Sequence, residues 1–196
     1  KHEAFKPEQK NDVSYLLYNY VTRMASSMIN SRLSDMASKP DAPFAGVSVY
    51  DGMYLVANTK GAFTASAVAK TDIKASLEAV YREVLRAKRH GFVATEYLRS
   101  RDEYLSVLER QYKNRNKIES NRLVEEYVEH FLDNEPIPGI ETEYQLMNMI
   151  AKQIPVEAVT QTFQQLFSTD KNVVVMAVLP DKPEIVMPTE AELAEI

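Results

Sequence analysis

A chain of 196 residues is long enough for one domain with a sizeable core, and 45% hydrophobic with 26% charged residues is a globular composition, not a disordered or fibrous one. Lys and Arg number 23 against 28 Asp and Glu, so a net charge of −5 offers no basic excess to draw the chain onto nucleic acid or anionic lipid. The absence of cysteine excludes disulfides, thiolate nucleophiles and Cys-ligated metals, and only five glycines argue against a barrel or sandwich built on many tight turns.

Residues 1–11 form a polar lead-in. From Asp12 to Met36, apolar residues at Val13, Leu17, Tyr20, Val21, Met24 and Met28 recur at the spacing of one helical face. Lys39-Pro40-Asp41-Ala42-Pro43 stops that helix. Strands are expected over Phe44 to Tyr50, Met53 to Asn58 and Ala62 to Lys70. Asp51-Gly52 suits a two-residue hairpin turn with Gly52 at positive φ, and Thr59-Lys60-Gly61 marks the next break.

The period returns to 3.6 at Asp72, with Ile73, Leu77, Val80, Tyr81, Val84 and Leu85 on one face and Gly91 as the C-cap. Thr95 is expected to cap the next helix, through Leu98, Leu105, Leu108 and Tyr112. Lys113 to Arg122 holds one large aliphatic residue, Ile118, so the helix either crosses solvent there or breaks. The pattern resumes from Leu123 to Leu132 and ends at Asp133-Asn134-Glu135-Pro136-Ile137-Pro138-Gly139. Helices over Thr142 to Gln153 and Pro155 to Phe167 precede Asn172 to Leu179, whose Val173-Val174-Val175-Met176-Ala177-Val178 reads as a buried strand. Residues 181–196 form a Pro- and Glu-rich tail or linker. The expected fold class is α+β: a single domain over residues 12–180, with a mainly antiparallel sheet of about four strands and its helices packed on one face.

Placed titratable groups are few. His2, His90 and His130 are the only imidazoles, and His90 closes a helix beside Gly91, where a cation complements the helix dipole. Glu126-Tyr127-Val128-Glu129-His130 approaches the helical His-x-x-Glu-His zinc motif, but its first position is Glu126, and Glu129 points about 100° away from His130. A solvated helix face is the simpler expectation. Arg86, Lys88 and Arg89, then Lys113, Arg115 and Lys117, look like basic patches, yet Glu83, Glu109 and Glu119 stand among them. The chain has neither a Gly-rich phosphate loop nor a Gly-x-Ser-x-Gly elbow, so no catalytic or metal-ligating residue is assigned. No run of about 18 apolar residues marks a membrane span. Lys1-His2-Glu3 is neither an initiator Met nor a signal peptide, and the chain is expected to be an internal piece of a longer protein.

Several passages carry a resemblance. Asn30-Ser31-Arg32-Leu33-Ser34-Asp35-Met36-Ala37, followed by Asp41-Ala42-Pro43-Phe44, is similar to the asparagine-x-arginine-leucine to proline-phenylalanine passage of insulinase (pitrilysin) type zinc metallopeptidases. Gly91-Phe92-Val93-Ala94-Thr95-Glu96-Tyr97-Leu98 resembles their glycine and threonine-glutamate-x-leucine helix start. Tyr127 to Gly139 and on to Ile140-Glu141 resembles their histidine-phenylalanine-leucine to proline-glycine-isoleucine-glutamate passage.

The resemblance covers about Val13 to Leu179 and implies paired α+β domains, the first carrying zinc on His-x-x-Glu-His. That motif is missing here, so the resemblance implies the second, non-catalytic domain of the N-terminal half, part of a chamber wall around an extended peptide. It also implies zinc in the parent protein, the other peptidase domains and a peptide substrate as partners, and a bacterial periplasm or envelope location. The family's assisting arginine and tyrosine are not matched, since Arg32 and Tyr50 lie too far apart. Substrate-binding residues stay unassigned. The alternative function is a stand-alone α+β protein-interaction module without enzymatic activity. Family domains open with a strand, a helix and a second strand before the helix at Asp12, so a bare sheet edge and self-association through it are expected.

Overall fold

The computed structural model describes residues 1–55, 57–117, 120–167, 172–179 and 187–196. Its order is β1 (His2–Glu3), α1 (Val13–Ala37), β2 (Phe44–Tyr54), β3 (Ala57–Ala69), α2 (Ile73–His90), α3 (Ala94–Lys113), α4 (Ser120–Asp133), α5 (Ile140–Ile150), α6 (Val156–Leu166) and α7 (Glu190–Ala194). Among the described residues the sheet has three antiparallel strands in the order β1-β3-β2, so the α+β class holds with three strands instead of four.

Helix α1 is the spine of the core. Asp12 caps it by accepting from the Ser14 N–H at 2.7 Å, and Tyr20, Met24, Met28, Ile29 and Leu33 bury one side of it against the sheet, α2, α3 and α6. Phe63 of β3 meets Phe163 and Phe167 edge-on, with ring centroids 5.1 and 5.3 Å away, and so ties the sheet to α6.

The hairpin departs from the sequence expectation. Asp51 and Gly52 lie inside β2, opposite Phe63 and Ala62, and Gly52 is not among the residues of positive φ. The chain turns instead at Leu55, which takes φ +55°. The three short strands expected over 44–70 are therefore two long ones, with Thr59, Lys60 and Gly61 inside β3. A turn at Asp51-Gly52 would halve the ladder. The observed register places Val49 opposite Ala65 and Phe63 on the core side, and tertiary burial outweighs local turn preference.

The segment Asn172 to Leu179 has no regular secondary structure and joins no strand among the described residues, and Val173, Met176 and Val178 are 61%, 75% and 85% exposed. Its expected burial is not realised: among the described residues the segment pairs with neither edge of the sheet and touches the lead-in where the N-terminal amino group donates to the Asn172 carbonyl at 2.8 Å. The lead-in contributes β1 and a 3-10 turn over Pro7–Gln9. Helix α3 starts one residue before Thr95, with Val93 as its N-cap, where the Glu96 carboxylate accepts from the Val93 N–H at 2.8 Å. A 3-10 turn over Arg115–Lys117 breaks the helix after Lys113. Helices α5 and α6 match the two short helices foreseen. The tail gains a short helix, α7, and residues 180–186 lie outside the described residues.

Candidate functional site

A cleft of about 830 Å³ opens between the lead-in, one side of α1, the end of β2 and the chain after α4. Helix α1 lines it with Tyr15, Tyr18, Asn19, Thr22, Arg23 and Ser26, a polar stripe at i, i+3 and i+4 spacing beside the apolar one that builds the core. Opposite stands β2 from Val49 to Met53.

At one end the lead-in is pinned across the cleft. Phe5 packs on Tyr15 and Tyr18 with centroids 5.1 and 5.0 Å away. Lys10 donates to the Glu135 carboxylate at 2.6 Å and to the Asp133 carbonyl at 2.7 Å. The Tyr15 hydroxyl also donates to Glu135, and burial, with Glu135 adding to it, pushes that phenol up to about 12.

Asp51 is the buried acid of the site, its side chain only 5% exposed. One carboxylate oxygen accepts from His2 Nε2 at 2.7 Å and the other from the Tyr18 hydroxyl at 2.8 Å. The bond to Asp51 raises the pKa of His2 above its ordinary value, against the opposing effect of burial. The imidazole sits where a Cβ on Gly61 would be, 2.3 Å from His2 Cε1, so Gly61 is the residue that lets β1 close on β3.

Strand β2 is the edge of the sheet. Asn30 donates to the Val49 carbonyl at 2.7 Å and accepts from the Val49 N–H at 2.8 Å, so the Val49 main chain points away from β3. By the alternation of an antiparallel ladder, Asp51 and Met53 direct their N–H and C=O groups the same way, along the cleft. Among the described residues no strand pairs with them there.

The residues singled out in the sequence are not gathered here. His130 lies on exposed α4 and its Nδ1 donates to the Glu135 carbonyl at 2.6 Å. Glu126 and Glu129 line a separate groove of about 950 Å³ between α3, α4 and the chain before α5. Among the described residues no group of three His, Asp or Glu side chains is arranged to hold a metal ion. Of the basic residues, Arg86 faces Glu83 at 3.7 Å, Lys113 faces Glu109 at 2.6 Å and Arg115 faces Glu141 at 2.8 Å.

Two of the passages carrying the family resemblance meet in the interior, whereas the third runs along α4, where Tyr127 and Phe131 are exposed. Arg32 donates to both oxygens of Glu96, to Glu83 at 3.0 Å and to the Gly91 carbonyl at 3.2 Å, with its guanidinium 5.3 Å from the centre of the Phe92 ring. Leu33 and Phe44 are fully buried. These residues build the fold, whereas the cleft residues Tyr18, Arg23, Ser26 and Asp51 escaped the sequence analysis. A polar stripe on a mostly buried helix, and an acid at an inward-facing strand position after Val47 and Val49, are the signals that mark them.

No family model matches the sequence. A PQQL-like zinc protease of Arabidopsis thaliana is 36% identical over 83 residues, which are 42% of this chain and 9% of that protein. Among solved structures, the periplasmic protease PqqL of Escherichia coli superposes with a TM-score of 0.69 at 20% identity, over 79% of this chain and 17% of PqqL. The first half of PqqL, solved separately, gives 0.71 at 20% identity over 80% of this chain and 33% of that one. The insulinase-type resemblance is thus borne out: the chain shares sequence with a zinc protease and its α+β fold with PqqL, and it spans a small part of either.

Proposed function

We propose that this chain is the non-catalytic, chamber-forming domain of an insulinase-type zinc metalloendopeptidase that degrades peptides, and that the cleft beside β2 faces the peptide. The observation that carries it is the free edge of β2 running along an open polar cleft. An extended peptide adds to such an edge through its main chain, largely independently of sequence, which suits a protease of varied substrates. The fold match to the first half of PqqL supports a place in the N-terminal half of the parent. The sequence has no His-x-x-Glu-His, so zinc belongs to another domain of the parent. By analogy with the periplasmic relatives the parent works in the cell envelope. No helix among the described residues is long and apolar enough to cross a membrane.

The surface of α4 favours packing against other domains of the same peptidase. Val124, Tyr127, Val128 and Phe131 form an exposed apolar stripe, Phe131 at 84%, and the relatives are several times longer than this chain.

The test uses Met53→Pro in the parent. It removes an N–H that points away from β3 and leaves the ladder intact. A raised KM for peptide with kcat and zinc content unchanged is the expected result, and an unchanged KM refutes the peptide-facing edge. Elemental analysis of this chain alone is expected to return no stoichiometric zinc. One tight zinc per chain, lost in His130→Ala, overturns the non-catalytic assignment.

A further inference from the structure

We propose that Arg23 and Ser26 form a site for a carboxylate of an extended peptide lying along the free edge of β2. The proposal rests on the peptide-facing role of that edge and names the chemistry of its occupant.

The charges of the cleft single out Arg23. Lys10 faces Glu135, His2 faces Asp51 and Lys60 faces Glu3, whereas Arg23 meets no carboxylate among the described residues. Asp133, the remaining acid of the lining, lies at the Lys10 end, about two turns of α1 from Arg23. The guanidinium is 5.1 Å from the centre of the Tyr104 ring, which positions it without consuming its in-plane N–H donors.

Ser26 is the independent sign of a missing ligand. The residue is 93% buried, at 7% exposure, and its hydroxyl alone among the described buried side-chain polar atoms has no hydrogen-bond partner. A helical hydroxyl of this kind ordinarily bonds the carbonyl one turn back, as Thr22 does to Tyr18 at 3.0 Å. Ser26 is one of the residues lining the cleft, so an acceptor bound there is at hand for a hydroxyl that the fold leaves unpaired. Arg23 and Ser26 are i, i+3 neighbours and Asn19 is one turn before Arg23, so a guanidinium, a hydroxyl and an amide share one face.

A carboxylate fits this set. The guanidinium offers two parallel donors and the hydroxyl a third. A phosphate dianion fits less well, because Asp51 and Glu135 also line the cleft. The carboxylate comes from the C-terminus of the peptide or from an acidic side chain within it, two sources of one chemistry.

The test follows the Arg23 Nε–H and the Ser26 amide by NMR in the 196-residue chain. The probes are acetate and three N-acetylated peptides sharing one valine- and threonine-rich sequence: a free C-terminal acid, a C-terminal amide, and an amide with a central Glu. Acetate is expected to shift both signals. The anionic peptides should bind roughly tenfold tighter than the neutral one, as a charge-assisted contact implies. Arg23→Gln should erase that margin and Ser26→Ala reduce it, and the tighter of the two anionic peptides identifies the source. An anionic margin that survives Arg23→Gln, or signals that neither acetate nor peptide moves in the unaltered chain, overturns the proposal. If all three peptides bind β2 equally, the carboxylate site falls while the peptide-facing edge stands. If acetate binds and no peptide does, the edge falls and the peptide occupant with it.

Discussion

The side-chain amide of Asn30 pairs with the main chain of Val49 as a neighbouring strand would, one hydrogen bond in each direction at 2.7 and 2.8 Å. It fixes α1 on the edge of the sheet at the point where the cleft-lining part of β2 begins. Asn30→Leu removes both bonds and leaves a half-buried N–H and C=O unmatched, so a loss of about 1–3 kcal/mol is expected. Faster exchange of the Val49 amide, with a lower denaturation midpoint at unchanged slope, would register it.

Arg32 holds two carboxylates at once, one of them the buried Glu83 at 5% exposure. Arg32→Met should cost about 3 kcal/mol, because it strands charge that the guanidinium neutralises. Chemical denaturation measures the loss. The double change Arg32→Met with Glu83→Gln should recover part of it, since the stranded charge is then removed.

The His2–Asp51 bond makes stability depend on pH. The pKa of His2 in the fold is raised, so the imidazolium contributes stability that is complete below the ordinary value of about 6.5 and is lost as pH rises through the higher folded value. Melting temperature should therefore fall as pH rises from about 6.5 through the folded value and level off above it. Asp51→Asn should flatten the slope, and a slope that persists in the variant would place its origin elsewhere.

Two glycines should respond oppositely to a side chain. At Gly52 a Cβ would meet only the Tyr50 ring, at 3.5 Å, in an ordinary strand conformation, so for Gly52→Val a change within about 1 kcal/mol is expected. At Gly91, φ is +69° and a Cβ would come within 2.5 Å of Thr160 Cγ2. Gly91→Val should cost about 2 kcal/mol or more from the positive φ and the contact together. Parallel melting curves of the two variants would show the contrast.

Beyond Gly61, β3 has no described neighbour on the side away from β2, which leaves a second edge open. The chain is expected to self-associate through it, with apparent mass rising across a hundredfold concentration range in light scattering. A strict monomer throughout would contradict this.

Helix periodicity determined α1, α2 and the core residues Tyr20, Met24 and Met28, because a 3.6-residue apolar repeat has one compact solution wherever the helix is placed. The family passages were likewise legible, since Asn30, Arg32 and Gly91 do jobs that few other residues can do. Tertiary structure decided the rest. Asp51-Gly52 has the local chemistry of a turn, yet Val49 and Phe63 gain more by pairing through it into one long hairpin. Val173 to Val178 has the composition of a buried strand, but composition does not choose a partner, and among the described residues the segment joins neither edge of the sheet. The cleft belongs to the second group: its residues come from the lead-in, α1, β2 and the chain after α4, and only folding brings Tyr18 to Asp51 or leaves Arg23 without an acid among the described residues.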